Sequence, residues 1–276
     1  MQSIDSKIYT KEYYLKVCLG SEEFKKTKGR ELHPRLRQLL QTIPIPSDAK
    51  ILDVGCGRGD ISYYFANKGH LSIGIDYAEA AIDIAEKLKK ISDPKVKKFL
   101  QFHQMDIKKL QLPDNYFDVV ICIDVLEHLY KEEVPLALNE ISRVLKKDGI
   151  LFVHTGPNRL LYNFTYRWYI LPMNKLLTKI DQVIKGKKYN PLPDDPRTPE
   201  EKIQHVNEPT YFYLKNLFKK YHFTGKLQIE IGFVKKGKGL RTTVYNALTT
   251  LYPLSRFTPI NLLFGAIFIG VLRNNK

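Results

Sequence analysis

The ten-residue stretch ILDVGCGRGD, residues 51–60, decides the fold. Its first half is an apolar run that predicts a buried strand, and glycines follow at every second position from Gly55 to Gly59. Such a turn lets the backbone approach a ligand that any Cβ would exclude. The dinucleotide fingerprint G-x-G-x-x-G does not fit, because Asp60 occupies the place of its last glycine. A carboxylate there would repel a pyrophosphate, so the turn favours a ligand with a cationic centre and no phosphate.

Short apolar runs alternate with helical patterns along most of the chain. The predicted strands are 51–55, 70–76, 99–106, 116–124, 150–155, 225–234 and 264–272. The predicted helices are 60–68, 78–90, 132–147 and 210–221. The run over 116–124 is apolar at consecutive positions, which is typical of a strand covered on both faces. Strands that alternate with helices predict an α/β protein with a parallel sheet between two layers of helices.

Two further carboxylates end predicted strands. Asp76 closes the second strand, 21 residues after Gly55, where an acidic side chain can accept hydrogen bonds from ribose hydroxyls. Asp106 closes the third strand, where a carboxylate can meet an adenine amino group. Taken singly, each acid fits a helix cap or a turn equally well. Because the carboxyl ends of parallel strands meet at one edge of the sheet, the set together predicts an adenosine site there.

These motifs resemble those of the class I S-adenosylmethionine-dependent methyltransferases. The resemblance covers residues 50–156 well and 209–272 loosely, and it rests on the glycine motif, on GID with Asp76, on QMD with Asp106 and on FDVVICIDVLEHL at 117–129. The last string is similar to the subfamily that contains quinone-biosynthesis and many small-molecule methyltransferases. The resemblance implies a Rossmann-like fold of three layers, α/β/α, with a mostly parallel seven-stranded sheet. It also implies S-adenosylmethionine as the cofactor.

The resemblance further implies roles for the residues at the strand ends. The backbone around the first two glycines would meet the methionine portion of the cofactor, Tyr77 would pack on the adenine, and Ile123 would lie near the methionine amino group. The cofactor-binding residues expected on this basis are Asp53, Gly55, Cys56, Gly57, Asp76, Tyr77, Asp106, Ile107 and Ile123.

The chain divides into three regions on the basis of these patterns. Residues 1–50 are predicted to form an N-terminal helical extension, and 51–276 a methyltransferase domain interrupted at 157–208 by a lid or substrate-binding insertion. Within the extension, Tyr13, Tyr14 or Arg30 is expected to close the cofactor site, with Arg30 a candidate to bind the methionine carboxylate through its two-pronged guanidinium. The alternative is a surface helix with its tyrosines packed on the sheet.

The insertion is aromatic, aliphatic and basic over residues 159–180. Three interpretations of this composition are open. The insertion could form a wall over an apolar acceptor, lie at the interface of an anionic membrane, or form a helical pair that only extends the core. Residues 190–199 are proline-rich and predict a linker without regular structure.

The net charge of +15 lies almost entirely in the C-terminal 120 residues. Such a field favours an anionic partner, either nucleic acid, phospholipid or a phosphorylated substrate, although a solubilising lysine-rich surface gives the same composition. The N-terminus has no apolar signal region, and the apolar stretch 260–272 is too short to span a membrane. Cys18, Cys56 and Cys122 are too few and too scattered for a disulfide framework. A cytoplasmic protein is therefore predicted, with peripheral contact to an anionic membrane as an alternative.

Methyl transfer to a hydroxyl needs a base for the departing proton. Three histidines, His128, His154 and His205, are the candidates at the predicted edge of the sheet, with Glu127 and Asp124 as alternatives. An Asn/Asp-Pro-Pro-aromatic motif is absent, and no histidines and carboxylates stand at metal-ligand spacing along a helix, so no metal is expected.

The sequence thus predicts transfer of a methyl group from S-adenosylmethionine to an oxygen, or less favourably a nitrogen, of a small-molecule, glycan or lipid-linked acceptor. Nucleic acid is a less favoured partner. The alternatives are an RNA methyltransferase that uses the basic C-terminal third, and a non-catalytic cofactor-binding docking protein.

Overall fold

A computed structural model describes residues 4–186, 192–237 and 239–276 of the chain. Residues 190 and 191 of the predicted linker lie outside the described residues. From Leu192 to Arg197 the chain has no helix or strand, as predicted, and a helix then begins at Pro199.

Seven strands form one sheet in the order β3-β2-β1-β4-β5-β7-β6. Strands β1 to β5 run parallel, and β7 pairs antiparallel with both β5 and β6. The strands are β1 Lys50–Val54, β2 Leu71–Asp76, β3 Leu100–Gln104, β4 Phe117–Ile123, β5 Leu145–Thr155, β6 Phe223–Ile231 and β7 Gly265–Asn274. The predicted Rossmann-like architecture is confirmed.

Helices cover both faces of the sheet. Before β1 lie α1 Ser21–Thr27 and α2 Pro34–Leu40, and the crossover helices are α3 Asp60–Ala66, α4 Glu79–Lys90, α5 Pro94–Lys97 and α6 Val134–Val144. The C-terminal half adds α7 Leu171–Lys185, α8 Pro199–Gln204, α9 Tyr211–Lys220, α10 Leu240–Thr250 and α11 Ile260–Phe264. A π-helix over Leu161–Ile170 runs directly into α7.

The end of α6 differs from the sequence-based expectation. The helix was expected to run to residue 147 and the strand to begin at 150, but α6 ends at Val144 and β5 begins at Leu145. Leu145 is fully buried and pairs with Phe117, and the register then skips to Val119 opposite Ile150. Burial of Leu145 in the sheet core therefore outweighs the helical pattern, and the extra residues form a bulge.

A second helical segment, not anticipated from the sequence, separates β6 from β7. It contains α10 and α11 and packs against the π-helix and α7, with Leu161, Tyr166, Ile170, Leu171 and Phe264 buried between them. Residues 157–208 are thus half of a two-part helical structure. In the part of the chain that the structure describes, no helix has both the length and the apolar character needed to cross a membrane.

The glycine turn leaves no room for side chains behind β1. A Cβ on Gly59 would lie 2.5 Å from Phe102 Cζ and 2.9 Å from Ala85 Cβ, whereas one on Gly69 would meet nothing within 4 Å. Both glycines have positive φ, +80° and +91°. Gly59 and Gly69 therefore both need a positive φ, but only Gly59 is surrounded by packed side chains.

We expect Gly69→Ala to lower the free energy of unfolding by about 1–2 kcal/mol, from backbone strain. Gly59→Ala should lower it by about 1–3 kcal/mol more, because Phe102 and Ala85 must also move. Urea denaturation followed by circular dichroism measures both, and equal losses in the two variants would contradict the packing argument.

Candidate active site

A cavity of about 550 Å³ opens at the carboxyl ends of the parallel strands, within the usual range for small-molecule sites. Residues that follow β1, β2, β4 and β5 form its floor, and residues 4–19 of the N-terminal region form one wall. The segment between β5 and α9 contributes Tyr162, Thr198 and His205. The cavity therefore joins the predicted strand-end site to both added regions of the chain.

The glycine turn after β1 forms one end of this cavity. Gly55 and Gly57 have φ values of +69° and +52°, which side chains rarely allow. A Cβ on Gly55 would also lie 2.4 Å from Val125 Cγ2. Cys56, between them, is buried and donates its backbone N–H to Ile75 O at 2.8 Å. The turn exposes backbone rather than side chains to the cavity, as cofactor binding at this position requires.

Asp76 ends β2 beside the turn. Its Oδ2 accepts the backbone N–H of Gly57 at 3.0 Å, and its Oδ1 accepts that of Ala78 at 2.9 Å. Burial raises the pKa of the carboxyl to about 6, although these two bonds and one from the Tyr14 hydroxyl oppose the rise. A carboxylate has about four acceptor positions, so acceptor capacity remains for one ribose hydroxyl beside these three bonds. These contacts fit the adenosine portion of S-adenosylmethionine.

Four more of the predicted cofactor residues border the cavity. Tyr77 is half-buried, and Ile107 is buried. Asp106 accepts the backbone N–H of Lys108 at 2.9 Å and forms an ion pair with its ammonium at 3.2 Å. Ile123, the last residue of β4, also lines the cavity and pairs with His154 of β5.

Asp53 is not part of the cavity wall. It lies under the turn in β1, 2% exposed, and accepts the Ser62 hydroxyl at 2.6 Å. Burial raises its pKa to about 7. Because β1 points this side chain into the fold, Asp53 supports the turn from behind and does not contact the cavity.

Arg30 is not near the cavity either. It is exposed and donates to the backbone carbonyl of Ile91 at 3.0 Å, because the chain turns away after α1. The arginines that line the cavity are Arg35, at the start of α2, and Arg58, in the glycine motif. Arg35 donates to Glu230 at 3.0 Å and its charge acts on Asp124.

Arg58 fastens the N-terminal region to the glycine turn. The side chain is 4% exposed and donates to Tyr14 O at 3.0 Å, to Leu19 O at 2.7 Å and to Asp60 Oδ2 at 3.0 Å. Tyr14 thereby reaches the cavity as predicted, with its ring against Gly57. Burial raises the pKa of the Tyr14 hydroxyl far above its usual range, so this group stays protonated and can donate.

His154 lies at the end of β5, with its Nδ1 2.6 Å from Asp124 Oδ1. The His154 Nε2 is buried and has no hydrogen-bond partner. Burial raises the pKa of the Asp124 carboxyl, but the hydrogen bond and charge of His154 outweigh it, and the pKa lies below its usual range. Half of the Asp124 side chain is accessible, and the residue borders the cavity. Since an ionised carboxylate only accepts, His154 Nδ1 donates to it, and Nε2 offers a lone pair whenever the ring is neutral.

His128 and His205 form a separate pair, with ring centroids 5.1 Å apart. His128 Nδ1 is 3.0 Å from the Tyr9 hydroxyl and 3.2 Å from Gln204 O. Because a carbonyl oxygen can only accept, Nδ1 carries the proton and donates it to Gln204 O. Burial lowers the pKa of His128 to about 4, and burial also lowers that of His205. Both rings line the cavity and are neutral at physiological pH.

Glu127 completes a group that could hold a metal ion. One ligand atom each from Glu127, His128 and His205 lies within 4.8 Å of the others. Glu127 is 3% exposed and accepts the Thr155 hydroxyl at 2.8 Å, and burial raises its pKa well above its usual range. Spacing along the sequence could not reveal this group, because His205 is 77 residues from His128 and reaches it only through the fold.

Sequence reasoning missed the roles of three residues here. Asp124 was considered only as an alternative base, although its place one residue after β4 and opposite β5 predicts a contact with His154. Arg58 carried a signal, since an arginine inside a buried turn needs an anion or carbonyls beside it. Tyr9 gave none, because its contact with His128 depends on how the N-terminal region folds back.

Comparison with known proteins gives a consistent family assignment. Residues 52–153 match the family described as Methyltransferase domain. The ubiquinone biosynthesis O-methyltransferase of Schizosaccharomyces pombe is 35% identical over 115 residues, which cover 42% of this chain and 40% of that protein. The enzyme of the same name from Histophilus somni is 33% identical over 134 residues, which cover 45% and 52%. The chain spans about half the length of the curated relatives it matches.

Solved structures share the fold at low sequence identity. A SAM-dependent methyltransferase of Methanosarcina mazei aligns over 88% of this chain and 98% of its own, with 20% identity and a TM-score of 0.52. The cyclase SpnF aligns over 87% and 80%, with 18% identity and the same TM-score. A fold shared with a cyclase does not by itself decide the chemistry, which must be argued from the site.

Family match and site geometry together define the class. Residues 52–153 match a methyltransferase domain, and the chain has the fold of class I S-adenosylmethionine-dependent methyltransferases. S-adenosylmethionine is its cofactor, and the roles of Asp76 at the ribose and of the Gly55–Gly57 turn at the methionine portion stay predictions.

Ionised Asp76 accepts hydrogen bonds better than its protonated form, so the affinity for the cofactor should decrease as the pH is lowered. With a pKa of about 6, about a tenth of the group remains ionised at pH 5. We expect the dissociation constant of S-adenosylhomocysteine, measured by calorimetry, to rise about tenfold between pH 8 and pH 5.

The Asp76→Asn variant should bind more weakly at pH 8 by about 1–3 kcal/mol and lose this pH dependence. Asp53 also titrates in this range but remains in the variant, so the difference between the two profiles belongs to Asp76. A variant that keeps the full pH dependence would show that another group controls binding.

Proposed function

We propose that this protein transfers the methyl group of S-adenosylmethionine to a hydroxyl oxygen of an apolar, ring-bearing small molecule or its lipid-linked form, with His154 as the general base. The observation that carries the proposal is the Asp124–His154 pair, which lines the cavity and in which the buried Nε2 has no hydrogen-bond partner. A buried nitrogen with a free lone pair is costly unless a proton donor meets it. An acceptor hydroxyl is such a donor.

The position of His154 supports this role. It pairs across the sheet with Ile123, and its backbone carbonyl accepts the N–H of Asp124 at 2.9 Å. The base therefore stands on a rigid strand, next to the residue expected near the methionine amino group. A base fixed in this way needs little reorganisation when the proton moves.

The bound cofactor supplies a methyl group on a positively charged sulfur, which leaves as neutral S-adenosylhomocysteine. His154 Nε2 accepts the hydroxyl proton as the acceptor oxygen forms its bond to the methyl carbon. Asp124 holds the ring in the required tautomer and stabilises the imidazolium that results. Arg35 borders the same cavity and is available to the methionine carboxylate, the role that the sequence suggested for Arg30.

Histidines 128 and 205 suit acceptor placement better than proton removal. The low pKa of His128, about 4, makes its ring a weak base, and its Nδ1 is committed to Gln204 O. Apolar side chains from several elements also line the cavity: Leu36, Leu39, Leu129 and Ile267. A hydroxylated ring fits such a wall, and the relatives named as ubiquinone biosynthesis O-methyltransferases support the same chemistry.

The acceptor atom is tested by mass spectrometry of products made with deuteromethyl S-adenosylmethionine. The panel should contain phenols and catechols with and without prenyl tails, aromatic amines and a transfer RNA mixture. We expect label on oxygen of a hydroxylated ring. Label on nitrogen, on carbon or on RNA would overturn the proposal.

His154→Gln should lower kcat about 10²–10⁴-fold, the usual contribution of a general base, while the affinity for S-adenosylhomocysteine stays near wild type. Asp124→Asn should lower kcat less, because Nε2 remains but its tautomer is no longer fixed. The matched control is His103→Gln, which changes an exposed histidine of β3 away from the cavity.

The pH profile separates a base from a structural histidine. Without His154, the rate should keep rising with pH as the acceptor hydroxyl itself loses its proton, whereas the wild-type rate levels off. Parallel profiles for wild type and His154→Gln would rule out proton transfer to this residue.

A further inference from the structure

Exposed apolar side chains are concentrated on the two-part helical structure. Of the eighteen large hydrophobic side chains that are exposed among the described residues, twelve lie in 164–184 and 240–263. Scattered single hydrophobic residues are normal on a protein surface, but a contiguous set marks an interaction site.

The first part of the set lies on the continuous helix formed by the π-helix and α7. Phe164, Trp168, Leu176, Ile180 and Ile184 are spaced by multiples of four residues, and all are exposed, Trp168 by 68%. Residues four apart are neighbours on a helix surface, so these side chains form a row along the helix.

The second part of the set comes from α10 and the turn after it. Leu240, Val244 and Leu248 repeat every four residues, and Leu254 and Phe257 follow, all of them exposed. The two helices are joined by hydrogen bonds from the Tyr169 hydroxyl to Leu248 O at 2.8 Å and between the Asn174 amide and the Tyr245 hydroxyl at 2.5 Å. The ten side chains of the two parts are called the apolar face below.

The segments that carry the apolar face are rich in basic residues. Residues 158–186 and 232–264 contain ten lysines and arginines and one acidic residue, Asp181. Arg167 lies over the Trp168 ring at 5.6 Å, and Lys175 and Lys179 are exposed along the same helix. This combination of aromatic, aliphatic and basic side chains is complementary to a negatively charged lipid surface.

We infer that the apolar face rests on an anionic phospholipid surface. Its large side chains enter the boundary between headgroups and acyl chains, and the lysines and arginines meet the phosphates. The absence of a spanning helix among the described residues fits contact with one leaflet. The inference stands on the face itself and holds whatever the methyl acceptor is.

A second copy of the chain is a poorer occupant. In a symmetric dimer, each apolar face would contact its equal, and basic side chains such as Arg167, Lys175 and Lys179 would approach those of the second copy. Like charges that meet across an interface oppose association, whereas anionic headgroups attract the same residues.

Docking in this way relates the lipid surface to the active site. Tyr162 of the π-helix lines the cavity, two residues before Phe164 of the apolar face. The π-helix therefore contributes residues both to the cavity and to the apolar face.

Sedimentation with vesicles tests the inference. The full chain should bind phosphatidylcholine vesicles that contain phosphatidylglycerol, bind pure phosphatidylcholine vesicles much more weakly, and be released by salt. Trp168 is the single tryptophan, and its fluorescence should shift to the blue on binding. No binding at any salt concentration, or equal and salt-independent binding to both vesicles, would overturn the inference.

Variants of the apolar face, compared with control variants elsewhere on the surface, show which residues bind the vesicles. Trp168→Ser with Ile180→Ser should weaken binding at least about tenfold, while Leu136→Ser with Phe212→Ser, which changes exposed side chains outside the apolar face, should not. Each basic residue near an anionic bilayer changes partitioning about fivefold. Lys175→Glu with Lys179→Glu should therefore weaken binding more than tenfold, and Lys87→Glu with Lys90→Glu on α4 should have a small effect.

Sedimentation velocity in the absence of lipid tests whether a second copy of the chain covers the apolar face instead. A monomer that binds the mixed vesicles supports the lipid surface. A dimer that dissociates when Trp168 and Ile180 are changed would assign the face to a second copy and overturn it, and so would equal vesicle binding by the face variants and their controls.

Discussion

The contact between the Asp76 carboxylate and the backbone of the glycine turn fixes the two loops of the active site relative to each other. Its two oxygens bind the N–H groups of Gly57 and Ala78, and so connect the loop after β1 to the loop after β2. The turn can approach this closely only because Gly55 and Gly57 take positive φ values. A carboxylate buried this way is costly unless it is satisfied, so the site is organised around a group that still has acceptor capacity to offer a ligand.

The sequence predicted the parts of this site that depend on strand order. In a parallel sheet the carboxyl ends of the strands share one edge, so a strand-end residue such as Asp76, Asp106 or Ile123 can be placed without coordinates. Asp53 was misplaced because it precedes the end of β1 by one residue, and alternation along the strand then turns it into the fold.

What the sequence could not supply are contacts that depend on chain segments returning to the site. Arg30 and Arg35 are close in sequence, and only the path of the chain between α1 and α2 decides which one borders the cavity. His205 meets His128 because the segment between β5 and α9 folds back over the strand ends. The helix α10 was overlooked because its exposed leucines and valine break the usual pattern of one polar face.

Arg58 has a consequence for how the site is filled and emptied. Its guanidinium joins the turn that meets the cofactor to the backbone of Tyr14 and Leu19, and the segment around these residues covers one side of the cavity. To leave on that side, S-adenosylhomocysteine requires this segment to detach, which breaks several buried hydrogen bonds together. Exchange of spent for fresh cofactor is then a conformational event of the N-terminal segment, and we expect it to limit the turnover rate whenever methyl transfer itself is fast.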